Sequence, residues 1–401
     1  MSQTTLEAPA RLHVSKEVPA LLQRLEAITP LLMAAGDENE ERGTLTDEVV
    51  AALHASGVFR LGIPHELDGY EASPRQIIEV IEKLSYADAS TGWAVMAVQM
   101  VTGTTAAYQG KAATDELFGD GRYELMAGQG SRLGTAKKVE GGYLLTGSWQ
   151  FASGLPLASY IHTAALVEET GAPLIFTFRK EQATVVDNWD VMGLRATGSI
   201  DYHCTDLFVP EEYTYSPTAT KPVYGGAIFH MGLANVSGLG HAGWALGVAR
   251  RLLDEMKSLA QKKSGTPGAA VDTDQFHADY ARAEATLRAA RAWLLDVWAD
   301  NEATLASGTG LTDEQETLTR LALNNATWSA HDVCMTVYKW AATAALRHGA
   351  LQRFFRDMHA GTQHISSGPL ALQGCGKKLA GLGTESQWQF FSLVEKRQDG
   401  K

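Results

Sequence analysis

The spacing of apolar residues changes twice along this chain and divides it into three stretches. Glu17 to about Ala35 carries leucines and an isoleucine at helical intervals. Thr46 ahead of Asp47 and Glu48 opens a second helix, because the hydroxyl satisfies a free first-turn amide and the acids complement its partial charge. Ser73-Pro74-Arg75-Gln76 announces a third: Ser73 caps, Pro74 needs no amide partner at the first helical position, and Gln76 reaches back to complete a capping box. These signals predict helices over 74–86 and from Thr91 through Tyr108.

From about residue 123 the period falls to two. Gly141-Gly142 between alternating runs predicts a hairpin, and strands recur through Ile161–Val167, Leu174–Phe178 and Ile200–Val209. Pro210 and the 217–224 stretch read as a linker. Beyond 228 the helical period returns in blocks at 229–262, 273–306, 312–347 and 349–360. Alanine-rich faces with interspersed Leu and Trp there predict a bundle, since small residues let helices approach and large ones fill the seam. The expected organisation is α+β: helices over 1–122, a β-domain over 123–224, and a helical bundle over 225–401.

At 401 residues, 45% hydrophobic and 20% charged, the chain is long enough for several cores. A net charge of −12, without a long Lys/Arg run, argues against nucleic acid. Cys204, Cys334 and Cys375 are too scattered for a disulfide framework or a zinc site, so no metal is expected and a reducing cytoplasm is the default. No apolar run reaches the ~18 residues a membrane span requires, and no membrane partner is expected.

Chemistry concentrates in Leu145–Gly154. Strand alternation puts Trp149, Phe151 and Ser153 on one face, a flat apolar surface tipped with a hydroxyl, suited to the edge of a planar ring. Met126–Gly134 contains a Gly-x-Gly, but the chain continues into strands rather than a helix, so it lacks the geometry of a dinucleotide finger. Gly374–Lys378 lacks the spacing of a phosphate loop.

Leu145–Gly154, together with Trp189-Asp-Val-Met-Gly-Leu-Arg-Ala-Thr-Gly-Ser199, resembles the middle domain of the acyl-CoA dehydrogenase superfamily, and within it the branch of two-component, reduced-flavin-dependent (group D) monooxygenases. The resemblance implies an acyl-CoA dehydrogenase-like fold of N-terminal helices, barrel-like β-domain and C-terminal four-helix bundle, usually a homotetramer. It implies an oxygenase component that takes reduced FMN or FAD from a separate flavin reductase, forms a C4a-hydroperoxyflavin with dioxygen, and hydroxylates a small aromatic or amine substrate. The alternative is an acyl-CoA or acyl-carrier dehydrogenase holding FAD.

The stretch after Arg356-Asp357 separates these branches. Many dehydrogenases carry a glutamate about nine residues after that arginine to remove a C–H proton; here the register lands on Ile365, which cannot accept one. Glu255, on an earlier helix, is the remaining candidate. Gln363-His364 matches a pair of the monooxygenase branch in which the histidine reaches flavin and substrate, and imidazole suits proton transfer near neutral pH; a satisfied structural histidine is the other reading.

By the same resemblance Ser153 lies beside the flavin N5, where a simple turn serine is the alternative. Gly128 and Gln129 meet the ring's polar edge, with a plain β-loop the alternative; Trp189 walls the ring and Thr197 or Ser199 serves as a structural hydrogen bonder, with a β-turn core the alternative; Trp149 and Phe151 supply the flat face read from the alternation. Trp93 belongs to the substrate pocket. Where relatives place a histidine two helical turns later, this chain offers Gln99 and Thr102. Lys263, at a predicted helix end, is either a ligand of the flavin phosphates or a cation complementing the helix C-terminus.

Overall fold

The computed structural model describes residues 12–395. The N-terminal stretch forms α1 (Val18–Arg42), α2 (Asp47–Ser56), α3 (Pro74–Ala87), α4 (Ala89–Tyr108) and α5 (Lys111–Phe118). Gln76 accepts from the Ser73 amide at 3.0 Å, and Thr46 accepts from Val49 at 3.4 Å. Two boundaries differ from expectation. α1 runs seven residues past Ala35, through Pro30, and ends where Gly43 adopts φ +70°. α4 begins two residues before Thr91 because the buried Asp88 caps it, accepting from the Thr91 amide at 2.8 Å and hydroxyl at 2.7 Å.

The middle stretch forms β1 (Met126–Val139), β2 (Gly142–Ala152), β3 (Tyr160–Val167), β4 (Pro173–Arg179), β5 (Thr184–Val186), β6 (Ile200–Pro210) and β7 (Thr214–Tyr215), in one sheet ordered β5-β6-β2-β1-β3-β4-β7. β1 and β2 meet in the hairpin at Gly141, whose φ of +77° suits glycine. The sheet curls: Trp149 on β2 donates to the Ala164 carbonyl on β3 at 3.0 Å, reaching across β1, and Tyr202 on β6 donates to Thr163.

The last stretch forms α6 (Gly232–Lys263), α7 (Asp274–Ala306), α8 (Asp313–Ala341), α9 (Ala350–Gly361) and α10 (Pro369–Leu379), followed by a hairpin, β8 (Ser386–Gln389) and β9 (Ser392–Glu395), in a stretch expected to be wholly helical. The hairpin is held by Trp388, which donates to Thr317 at 2.9 Å and lies under the Arg320 guanidinium.

One packing feature positions the site. Gly240, Gly243 and Gly247 form a small-residue stripe on α6, and a side chain there would strike Met96 of α4 or the Ile78 and Glu82 carbonyls of α3. This close approach sets His241 and Trp244 of α6 against Trp93 of α4.

Candidate functional site

β2 does not keep its alternation to the end. Its pairing with β6 shifts register between Trp149 and Ala152, and Phe151 takes φ +66°, a conformation rarely adopted outside glycine, Asn and Asp. Trp149 and Phe151 therefore do not share a face, contrary to the period-two reading. Trp149 is fully buried, stacked on Tyr202 with its edge against Gly134 and Gly147 inside the curled sheet, so it is a core residue. Phe151 is 61% exposed, with Trp189 edge-on at 6.1 Å.

After the bulge the chain turns through Gly154, at φ +79° and too close to Val98 and Ala94 for a side chain. This delivers Ser153 to α4. A line of hydrogen bonds starts there. Trp93 Nε1 donates to Ser153 Oγ at 3.0 Å; Ser153 Oγ lies 2.7 Å from Ser199 Oγ; Ser199 Oγ lies 2.6 Å from Thr197 Oγ1; and Thr197 donates to the Leu194 carbonyl at 2.8 Å. Its direction is determined. The carbonyl only accepts, so the Thr197 proton is committed to it; Ser199 must then donate to Thr197 and Ser153 to Ser199. Ser153 receives the indole N–H and spends its own proton, which leaves a lone pair as its remaining capacity.

Trp93 also faces two imidazoles, edge-on to His241 at 5.2 Å and His364 at 5.7 Å, while those rings stack on each other at 3.9 Å and 21°. Burial lowers the His241 pKa to about 4, and burial together with His241 holds His364 well below the ordinary imidazole range. Ser153 and His364, more than 200 residues apart, thus meet across Trp93. His364 sits beyond the end of α9, not within a helix. His241 escaped the sequence reading because it lies inside an unbroken helical block; its place in a glycine stripe was the available signal.

Other expected residues fall differently. Gln99 and Thr102 stand about 240° and 180° around α4 from Trp93 at ~100° per residue. Gln99 packs against Gly62, and Thr102, fully buried, accepts the Met126 amide at the start of β1, so neither replaces a site histidine. Gly128 lies so close to β3 that a Cβ would sit 1.8 Å from the His162 carbonyl; sheet packing alone explains the glycine. Gln129 accepts from the Arg132 amide at 2.8 Å where β1 leaves its register with β3. Lys263 ends α6, 22 residues beyond His241 and so roughly 33 Å away along the helix, out of reach of this cluster within one chain. Glu255 is held by Arg251 at 2.8 Å, roughly 21 Å along α6 from His241. Ile365 is 45% exposed where a dehydrogenase base was considered.

The loop 189–199 is clamped from its other side. Leu194 donates its amide to Asp357 at 2.6 Å, Arg356 bonds the Met192 carbonyl at 2.7 Å and both Glu40 oxygens at 2.6 and 2.8 Å, and Gly193 approaches the Arg356 carbonyl too closely for a side chain. Burial raises the Asp357 pKa to about 7, assisted by Asp88 and Glu40.

Two clefts, between α7 and α8 and between α3 and α6, include none of these residues. Among the described residues no helix is long and apolar enough to cross a membrane, and no group of His, Cys, Asp or Glu could hold a metal ion.

Residues 27–117 match the model of the acyl-CoA dehydrogenase N-terminal domain and 239–369 that of the C-terminal domain, together more than half the chain. The chain is 28% identical over 368 residues to the flavin-dependent monooxygenase oxygenase subunit HsaA of Rhodococcus jostii, covering 87% of this chain and 94% of that one. It is 28% identical over 356 residues to indole-3-acetate monooxygenase of Pseudomonas putida, covering 86% and 89%. The crystal structure of 3-HSA hydroxylase from Rhodococcus sp. RHA1 superposes with a TM-score of 0.85 at 27% identity, covering 90% of this chain and 97% of that one.

Proposed function

The chain belongs to the acyl-CoA dehydrogenase superfamily, in its branch of two-component flavin-dependent monooxygenases, and from that premise we propose that it is the oxygenase component of such a pair, hydroxylating a small aromatic substrate. Its cosubstrate is a reduced flavin, FMN or FAD. The observation that carries the reading is the direction of the hydroxyl line: toward its open side Ser153 can only accept, and the N5 of a reduced flavin bears a hydrogen where that of an oxidised flavin does not. The exposed Phe151 ring, with Trp189 beside it, offers the flat apolar surface a tricyclic ring needs.

Bound there, the reduced flavin supplies the electrons that activate dioxygen. The chain's own residues do the rest. Ser153 orients the ring edge, and its partners Ser199 and Thr197 keep its proton turned away. Trp93, Trp244 and Phe151 exclude water from the reacting region. Neutral imidazoles at His241 and His364 handle protons without placing a permanent charge beside the apolar ring. The strain at Phe151, of order 1–3 kcal/mol, is a cost borne where a ring must be presented to a ligand.

The reading includes a separate flavin reductase as partner, a homotetramer whose neighbouring protomer contributes Lys263 to the flavin phosphates, and a cytoplasmic setting for which three free, buried cysteines are suited. Gly128 and Gln129 border the polar end of the ring in this reading.

The test is kinetic. Anaerobic protein should bind reduced FMN or FAD more tightly than the oxidised form, and on mixing with oxygen the flavin should reoxidise more slowly than free reduced flavin. Equal affinity for the two redox states together with reoxidation at the free rate would overturn the proposal.

A further inference from the structure

At the bulge in β2, Gln150 and Phe151 stand opposite a single residue of β6. Trp149 pairs with Tyr202 and Ala152 with Ile200, which leaves only Asp201 across from them. A bulge deprives a backbone group of its ladder partner, and here the Asp201 side chain supplies what the ladder lacks. Asp201 Oδ1 accepts the Phe151 amide at 3.2 Å, while Oδ2 accepts from the Gln150 side chain at 3.3 Å and the Asn188 side chain at 2.9 Å. Asn188 returns the bond by accepting the Asp201 amide at 3.3 Å. All three donors to the carboxylate are neutral amides.

Two parts of the proposed ring surface meet at this carboxylate. Phe151 is the exposed aromatic at φ +66°, and its carbonyl accepts the Ser153 amide at 2.9 Å. Asn188 is followed directly by Trp189, which lies edge-on to Phe151. Resting on the oxygenase reading, we infer that Asp201 is a positioning residue for the flavin surface: it holds the Phe151 backbone in the conformation that turns the ring outward, and Asn188 ties Trp189 to the same anchor. The geometry asks for a short acid. Phe151 needs one acceptor, and the Gln150 and Asn188 amides need a second on the other branch of the same side chain, which a carboxylate provides. Asparagine keeps the first acceptor but turns an amide donor toward two others. Alanine removes both, and a left-handed conformation that is costly for any residue with a side chain loses the bond that holds it.

Full-length protein is titrated anaerobically with reduced and oxidised FMN and FAD, and its urea midpoint is measured without flavin. Asp201→Ala should weaken both redox forms about tenfold, because the aromatic surface serves either, whereas Ser153→Ala acts on the reduced form alone. Asp201→Asn should fall between wild type and Asp201→Ala. A double variant separates positioning from plain stability. With Phe151→Gly already present, Asp201→Ala should cost less than about threefold in further affinity, the remainder carried by the Asn188 branch, and Phe151→Gly should raise the urea midpoint only while Asp201 is in place. Fully additive losses, or wild-type affinity in folded Asp201→Ala, overturn the assignment; should that variant fail to fold, unchanged affinity in Asp201→Asn does so instead. Equal wild-type affinity for the two redox forms sinks the oxygenase reading. A midpoint raised equally by Phe151→Gly with and without Asp201 sinks the positioning role alone.

Discussion

Two clusters grip the 189–199 loop from opposite sides, and they are built from different chemistry. On one side Thr197 and Ser199 join Ser153 and Trp93 in a line of neutral donors and acceptors that ends against two uncharged imidazoles. On the other, Met192, Gly193 and Leu194 meet Arg356, Asp357 and Glu40, backed by the buried Arg353 and its partner Asp37. Leu194 belongs to both, its carbonyl accepting from Thr197 and Trp189 and its amide donating to Asp357. The contrast shows a division of labour. Groups that do not titrate in the working range hold their proton directions fixed. Charges that can grip a backbone strongly are kept one layer back, where their titration does not reverse a hydrogen bond at Ser153.

The largest effect should come from titrating the charged side. Asp357 titrates near 7 when folded and near 3.8 otherwise, so between those values the unfolded chain releases a proton that the folded chain keeps. Its contribution is therefore fully present at and below pH ~4 and falls by about 3–4 kcal/mol as pH rises to ~7. Asp357→Asn should flatten that slope in urea melts at pH 4.5, 6 and 7.5, while Ser153→Ala leaves it unchanged; matching slopes in wild type and Asp357→Asn would show that the carboxyl titrates normally.

Gly193→Ala comes next. Its Cβ would sit 2.2 Å from the Arg356 carbonyl, a helix backbone atom that cannot step aside, so about 2–3 kcal/mol of stability should be lost. Reduced-flavin affinity should fall with it. Stability lost with flavin binding intact would mean that the two clusters act independently.

Ser153→Ala should weaken reduced-flavin binding about tenfold and leave oxidised-flavin binding unchanged. Equal weakening of both forms would remove the case for a directional acceptor. The smallest change is expected at Phe151→Gly. Relief of the positive φ should stabilise the protein by up to ~1 kcal/mol in denaturant, while loss of the ring lowers flavin affinity. A variant neither stabilised nor impaired in flavin binding would reduce Phe151 to an ordinary surface residue.

Much of the fold was legible because local rules agreed with one another. The Ser73–Gln76 box, the Gly141 hairpin and the long alanine-rich blocks each predict a structure that the chain adopts. Of the residues nominated for a site from type and motif, Ser153 and His364 are brought together through Trp93. The failures share a cause. Period two put Trp149 and Phe151 on one face, but a bulge turned one inward, and a two-turn count nominated Gln99 and Thr102, which the helix turns toward Gly62 and β1.

The chain alone determined most of the helices and strands, because caps, turns and apolar spacing act within a few residues of each other, but not every boundary and not the β8–β9 hairpin. Which atoms meet was decided only in three dimensions. The proton direction at Ser153 depends on a carbonyl 41 residues later and an indole 60 residues earlier, and the stacking of His241 on His364 joins rings 123 residues apart. Hydrogen bonds act over about 3 Å of space whatever the separation along the chain, so no spacing rule could have assigned them.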